Sequence, residues 1–132
     1  MADFTITFPG GKRVDAQVGP YLIRTDQPKE EGGDGSAPEP FKLFLASVGT
    51  CAGIYVLGFC QSRGLSTEGI YLTQTNHWDK EARRVTQVRI EVHLPPDFPE
   101  KYKDAVLRSA DLCTVKRNIL APPEFQIEAV TG

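Results

Sequence analysis

Three cysteines, Cys51, Cys60 and Cys113, are the residues of this sequence best suited to covalent chemistry. A thiolate is a nucleophile, whereas a thiol sealed in apolar surroundings is inert, so environment decides what each can do. Cys51 and Cys60 stand nine residues apart in one apolar run. If that run is helical, nine steps turn roughly 900° and climb about 13 Å, which puts the two sulfurs on opposite faces and beyond disulfide reach. Cys60 reads as a small buried hydrophobe. Cys113 lies 62 positions beyond Cys51, so only the fold could bring that pair together. A reactive Cys51 in mid-helix draws nothing from its own helix dipole, which acts within the first turn. It needs a cation from elsewhere, and Lys12, Arg13, Arg24, Lys116 and Arg117 are the candidates.

Other chemistries are poorly served. His77 and His93 fall in separate elements without a Cys-x-x-Cys or His-x-x-x-His partner, so no metal site and no cofactor is expected. Cys51 with His93 as base would make an acyl-transfer pair, but no local motif supports it and His93 sits on a polar strand face. Gly32-Gly33-Asp34-Gly35 lacks a following Lys-Ser/Thr and reads as a flexible loop, not a phosphate cradle. Fifteen Lys and Arg against seventeen Asp and Glu give a net charge of -2, which argues against a nucleic acid partner. Three Cys are too few for a secreted disulfide framework, and Met1–Thr7 lacks the shape of a signal peptide. A reducing cytoplasmic setting is the expectation.

The elements that must position these thiols follow from periodicity. Phe4, Ile6 and Phe8, then Val14, Ala16 and Val18, alternate with polar residues around Pro9-Gly10-Gly11-Lys12, a half-buried hairpin. A third strand over 21–25 completes a strand region of about 3–25. Residues 26–38 are a Pro-, Gly- and acid-rich loop ending in Ser36-Ala37-Pro38-Glu39, which has capping-box spacing. A central helix is predicted over about 39–63, with Gly64 as its stop. Its stretch Leu43–Cys60 is eighteen residues without a charge, the lower edge of a membrane span. Ser47, Gly49, Thr50, Gly53 and Gly58, together with amphipathic strands on both sides, favour a buried central helix over membrane contact. So small a chain encloses such a helix with difficulty, and Gly49-x-x-x-Gly53 would admit a second helix, pointing to an obligate dimer.

Strands are predicted over about 67–94, the first leaving the core at Gln74 and the turn falling on His77-Trp78-Asp79-Lys80-Glu81. Asp97-Phe98-Pro99-Glu100 has capping-box spacing before a helical region over about 98–119. Tyr102, Val106, Ala110 and Cys113 share one helical face there. Phe125, Ile127 and Ala129 mark a last strand at about 124–130. The reading is one α+β domain over 1–132, an antiparallel β-sheet wrapped around a long central helix.

Two segments resemble a known family. Pro38-Glu39-Pro40-Phe41-Lys42-Leu43-Phe44-Leu45-Ala46-Ser47-Val48-Gly49-Thr50-Cys51 is similar to the first signature of the OsmC/organic hydroperoxide resistance proteins, in which a Pro-led helix carries the reactive Cys. Asp26-Gln27-Pro28 and Gly32-Gly33 resemble the preceding loop of the OsmC-like branch, and Ala110-Asp111-Leu112-Cys113-Thr114-Val115 resembles the second signature. The resemblance implies an intertwined homodimer with active sites at the interface, taking small organic hydroperoxides and recycled by an external dithiol. On that pattern Cys51 becomes a sulfenic acid and Cys113 resolves it. The apolar surroundings would bury an organic tail. The family's arginine matches Arg13 best, with Arg24 as second choice. Two positions depart from the pattern: Phe41 stands where a Glu holds that arginine, and Thr114 where a Pro follows the second Cys. The other reading is a non-catalytic relative that binds a small apolar ligand.

Overall fold

A computed structural model describes residues 2–132, in which residues 2–46 and 47–132 pack as two units. In the first, β1 (Thr5–Gly10), β2 (Arg13–Val18) and β3 (Tyr21–Thr25) form an antiparallel meander in the order β1-β2-β3. Ile6 faces Ala16, and Ala16 faces Ile23, so the alternation aligns one apolar row across three strands. The expected half-burial of β1 is not met: the strand is exposed throughout, with Phe8 at 81%. The chain makes an apolar face here and leaves it uncovered.

The long helix α1 runs Pro40–Ser62, within a residue of the expected bounds. Pro40 opens it where a missing N–H costs nothing. It closes in a Schellman arrangement: Gly64 adopts φ 65°, its N–H reaches the Gln61 carbonyl at 3.3 Å, and the Leu65 N–H reaches the Cys60 carbonyl at 2.9 Å. Ser36 does not cap the helix, because its hydroxyl is committed to Asp26. The helix buries a single stripe, Val48, Ala52, Val56, Phe59 and Cys60. Phe41, Phe44 and Ile54 remain exposed, and only 28% of its most apolar stretch is buried. The buried central helix expected from sequence is thus covered on one side. By length and composition alone α1 could cross a membrane.

In the second unit β4 (Tyr71–Asp79) and β5 (Arg84–His93) form a two-stranded antiparallel sheet. The turn was expected on residues 77–81, but β4 runs on to Asp79 and the turn falls on residues 80–83. β4 leaves the core after Gln74, as expected, since residues 75–78 are exposed; the Gln74 side chain itself lies where a Cβ on Gly49 of α1 would sit, so the missing side chain makes room for it. Asp79 organises the actual turn by accepting the N–H groups of Glu81 and Ala82, each at 2.9 Å. After β5 a 3-10 turn at Glu100–Tyr102 leads into α2 (Lys103–Ala110), and α3 (Thr114–Leu120) follows. Pro99, not Asp97, precedes that turn, without a side-chain cap. Val56, Phe59, Cys60, Phe98 and Val106 are the buried core, with Val92, Leu94 and Tyr102 against it.

Two expectations fail at the C-terminus. The helical region is broken at residues 111–113, so Cys113 leaves the face it was predicted to share with Tyr102, Val106 and Ala110. Residues 121–132 form no strand, and Phe125, Ile127 and Val130 are more than 80% exposed. A strand exists through its neighbour's hydrogen bonds, and among the described residues none pairs with this segment.

Candidate active site

Cys51 lies on the helix face that also presents Ile54, Tyr55, Gly58 and Ser62, at spacings of three, four, seven and eleven residues. With Phe59, Ser109 of α2 and Thr114 of α3, these residues line an open, largely apolar cavity of about 620 Å³. Cys51 is half-buried there. The wall is hydrocarbon and aromatic ring, with the Ser and Thr hydroxyls at its edge.

The break between α2 and α3 brings the second sulfur in. Cys113 is the residue before α3 and caps it: its sulfur accepts the Lys116 N–H at 3.4 Å. It is buried, and its thiol also reaches the Val48 carbonyl of α1 at 3.8 Å. The Tyr55 and Thr114 hydroxyls hydrogen-bond at 3.0 Å, tying α1 to the start of α3 beside both thiols. Cys51 and Cys113 are free cysteines, and each sulfur shifts the ionisation of the other.

Their surroundings push them apart electrostatically. The Val115 N–H at the start of α3 lowers the Cys51 pKa most, against the opposing effect of burial. The Cys113 thiol, the Thr114 N–H and the Arg117 charge add to the lowering. Cys113 goes the other way, raised first by burial and further by the neighbouring Cys51 sulfur. The thiolate is therefore favoured at Cys51 over Cys113. Backbone N–H groups at the start of α3, not on the helix that carries Cys51, do most of the lowering. That contribution was illegible in sequence, since Thr114 and Val115 act through backbone atoms. Cys60 is fully buried in the core, and burial raises its pKa.

The other candidates lie elsewhere. Arg13 of β2 holds the Asp34 carboxylate at 2.6 Å and the Ser36 hydroxyl at 3.3 Å. Asp34 and Ser36 thus anchor this arginine. Arg13 and Arg24 together line a second cavity of about 310 Å³ in the N-terminal unit. Lys12 occupies the turn before β2. Lys116 pairs with Asp111. His93 stacks on Tyr71 with ring centres 4.4 Å apart and bonds the Thr73 hydroxyl at 3.0 Å, its cross-strand surroundings.

The loop over 26–38 was expected to be a flexible connection. It is organised by Asp26, which is 1% exposed and accepts four hydrogen bonds: Gln27 N–H at 2.7 Å, Asp34 N–H at 3.3 Å, Ser36 N–H at 3.1 Å and the Ser36 hydroxyl at 2.6 Å. Donors on a carboxylate favour its charged form. The Asp26 pKa is accordingly lowered to about 2, Ser36 contributing most. Ser36 joins this carboxylate to Arg13.

The sequence matches the model of the family described as OsmC-like protein over residues 33–128, a span that contains both Cys51 and Cys113. No curated protein matches it. Among solved structures it is similar to a candidate osmotic-stress-induced and detoxification-response protein from Psychrobacter arcticus 273-4, with TM-score 0.76 and 22% identity, covering 89% of this chain and 88% of that one. It is also similar to an organic hydroperoxide resistance protein OsmC from Legionella pneumophila, with TM-score 0.58, 20% identity and 90% coverage of each chain. A third is a candidate organic hydroperoxide resistance protein from Vibrio cholerae O1 biovar eltor with captopril in one of its active sites, with TM-score 0.56, 17% identity, and 92% and 87% of the two chains covered. At these identities the likeness is one of fold, α+β with antiparallel sheets and a long helix. The family match extends over most of the sequence, both cysteine signatures included, and this chain belongs to the OsmC-like protein family.

Proposed function

We propose that this protein is a cysteine-based hydroperoxide reductase acting in oxidative-stress defence. The observation that carries the reading is Cys51 in the wall of the apolar cavity beside Thr114, with Cys113 next in sequence to Thr114 and the thiolate favoured at Cys51 over Cys113. The Cys51 thiolate attacks the terminal oxygen of a hydroperoxide. An S–O bond forms, the O–O bond breaks, and the departing alkoxide takes up a proton to leave as alcohol. The Cys113 thiol then gives up its proton and attacks the sulfenic sulfur; the S–S bond forms and water leaves. An external dithiol reduces the disulfide in a reducing, cytoplasmic setting. Arg13, or Arg24 beside it, is the hairpin cation proposed to serve the reacting peroxide.

The active form is proposed to be a homodimer with the sites at its interface. Exposed apolar surface on β1, on α1 at Phe41, Phe44 and Ile54, and on the segment after α3 supports this reading. That much apolar surface on one chain calls for cover. Sedimentation of the full chain in detergent-free buffer is expected to give a dimer.

Intact-mass measurement after one equivalent of an alkyl hydroperoxide tests the chemistry. The enzyme loses two mass units per chain as Cys51 and Cys113 join, and peptide mapping finds that linkage. A non-catalytic relative that only houses an apolar ligand keeps both thiols free, and that result overturns the proposal.

A further inference from the structure

Gly49, Gly53 and Gly58 interrupt α1. A glycine inside a helix costs stability relative to alanine, so each calls for a packing or functional reason. At Gly49 the reason is Gln74, whose side chain fills the space a Cβ would take. Gly58 has no such neighbour, for a Cβ there would meet no atom within 4 Å. Gly53 is equally uncrowded but stands outside the cavity wall, whereas Gly58 lines the same cavity as Cys51. That cavity has a direction. At ~1.5 Å per residue, Gly58 lies ~10 Å along α1 from Cys51 and Ser62 lies ~16 Å along. Beside Cys51 the wall is fixed by the Tyr55–Thr114 bond at 3.0 Å. At the far end the Ser62 hydroxyl donates to the Phe59 carbonyl at 3.0 Å and accepts Nη1 of Arg63 at 3.0 Å. Between those polar ends the α1 wall is Ile54, Gly58 and the Phe59 ring.

We propose that Gly58 is the specificity-determining residue of this site, its missing side chain admitting a straight alkyl tail that starts at Cys51 and runs along α1 towards Ser62. The inference rests on the reductase reading and narrows its substrate class to unbranched alkyl hydroperoxides. Such a tail gains from each methylene it removes from water, and it gains only where the wall is apolar and clear. A larger side chain at position 58 would stand across the path about two turns from the sulfur. The Tyr55–Thr114 link would be untouched. A short peroxide reaches Cys51 without passing that point; a long one does not. Gly58 thus meets the inert tail and takes no part in making or breaking bonds.

The test reads occupancy without any peroxide. Straight-chain primary alcohols from butanol to dodecanol, the products such a reaction would release, are titrated as protectants of Cys51 against iodoacetamide in the full chain, with site-resolved mass spectrometry. In the wild type, protection should strengthen about threefold with each added methylene until the chain reaches Ser62, and then level off. In G58L the levelling should come earlier, and the ratio of decanol to butanol affinity should fall at least about tenfold. G58A intrudes by one carbon and should lower that ratio about threefold. Alanine is favoured in a helix, so G58A decides the matter should G58L fail to fold. A wild-type protection that does not grow with chain length overturns the proposal, and so does a decanol-to-butanol ratio that neither variant changes. If the ratio falls as stated while an alkyl hydroperoxide fails to join Cys51 to Cys113, the tail site stands and the reductase reading alone is lost.

Discussion

Tyr55 and Thr114 meet hydroxyl to hydroxyl at 3.0 Å, linking the helix that carries Cys51 to the helix that Cys113 caps. The family pattern places proline at the position of Thr114, which has no hydroxyl, so this bond is particular to the substituted residue. Tyr55→Phe keeps the ring in the cavity wall and removes only the link. Because the bond is partly exposed, its loss should cost about 0.5–1 kcal/mol in denaturant unfolding. The larger effect should fall on the chemistry, with slower closure of the Cys51–Cys113 disulfide in stopped-flow or quench-flow mass measurement. An unchanged closure rate would mean that α3 is positioned without this bond.

The two cysteine variants separate the proposed roles. Cys51→Ser should abolish turnover of an alkyl hydroperoxide entirely, because the other two thiols are buried and raised in pKa. Cys113→Ser should support one turnover and then accumulate sulfenic or sulfinic acid at Cys51, gaining one or two oxygen masses. Complete loss of the first turnover in both variants would contradict the assignment.

What was legible in sequence was whatever rests on apolar periodicity or on strong backbone punctuation. Pro40 and Gly64 mark the ends of α1 to within a residue because each works through its own covalent geometry. The β1-β2-β3 meander follows from alternation and from the Gly turn. What was illegible depends on a partner. Cys113 caps a helix through a sulfur that resembles none of the usual capping oxygens, so the helix break at residues 111–113 gave no signal. The apolar stripe through Tyr102, Val106, Ala110 and Cys113 would next fall on Arg117, and that charge was the one available hint of a break. Gln74 marked the exit of β4 from the core because its amide is polar, but the fit of its side chain into the space left by Gly49 of α1 gave no signal. Ser36 looked like a helix cap until Asp26 claimed its hydroxyl.

Asp26 makes the order of the 26–38 loop dependent on pH. Its carboxyl titrates at about 2 in the folded chain, against 3.8 for an unperturbed group. A depressed folded-state pKa means stabilisation that is fully present above pH 3.8 and is lost as pH falls toward 2. Limited proteolysis of the loop should accelerate across that window. Asp26→Asn removes the charge at every pH, so its cleavage should be faster than wild type at neutral pH and should change little between pH 4 and 2. A wild-type loop equally resistant at both ends of the window would refute the anchoring role.

Arg13 tests the hairpin contribution independently. Its ion pair with Asp34 is 40% and 66% exposed on the two side chains, so Arg13→Gln should cost under about 1 kcal/mol of stability. If Arg13 serves the peroxide as proposed, turnover should fall about tenfold while the Cys51 alkylation profile stays in place. Turnover equal to wild type would leave Arg13 as an anchor of the loop and nothing more.

The three thiols should label in a fixed order. Thiolate fraction at a given pH rises as pKa falls, and the Val115 N–H, with lesser help from Cys113, Thr114 and Arg117, lowers that of Cys51. Burial raises both Cys113 and Cys60, Arg63 opposing it only in part for Cys60. Cys51 should therefore react with iodoacetamide at lower pH than the other two. Cys113 carries a further constraint, because its proton is harder to remove while a negative sulfur sits beside it. Once Cys51 is alkylated that charge is gone, and Cys113 should then label at lower pH than in the untreated protein. Cys60, sealed in the core with Val56, Phe59 and Val106, should follow only at the rate of unfolding. Mass spectrometry of single- and double-labelled species resolves the sequence of events. Labelling of Cys113 before Cys51 would reverse the assignment of thiolate and thiol, and with it the direction in which the disulfide is formed.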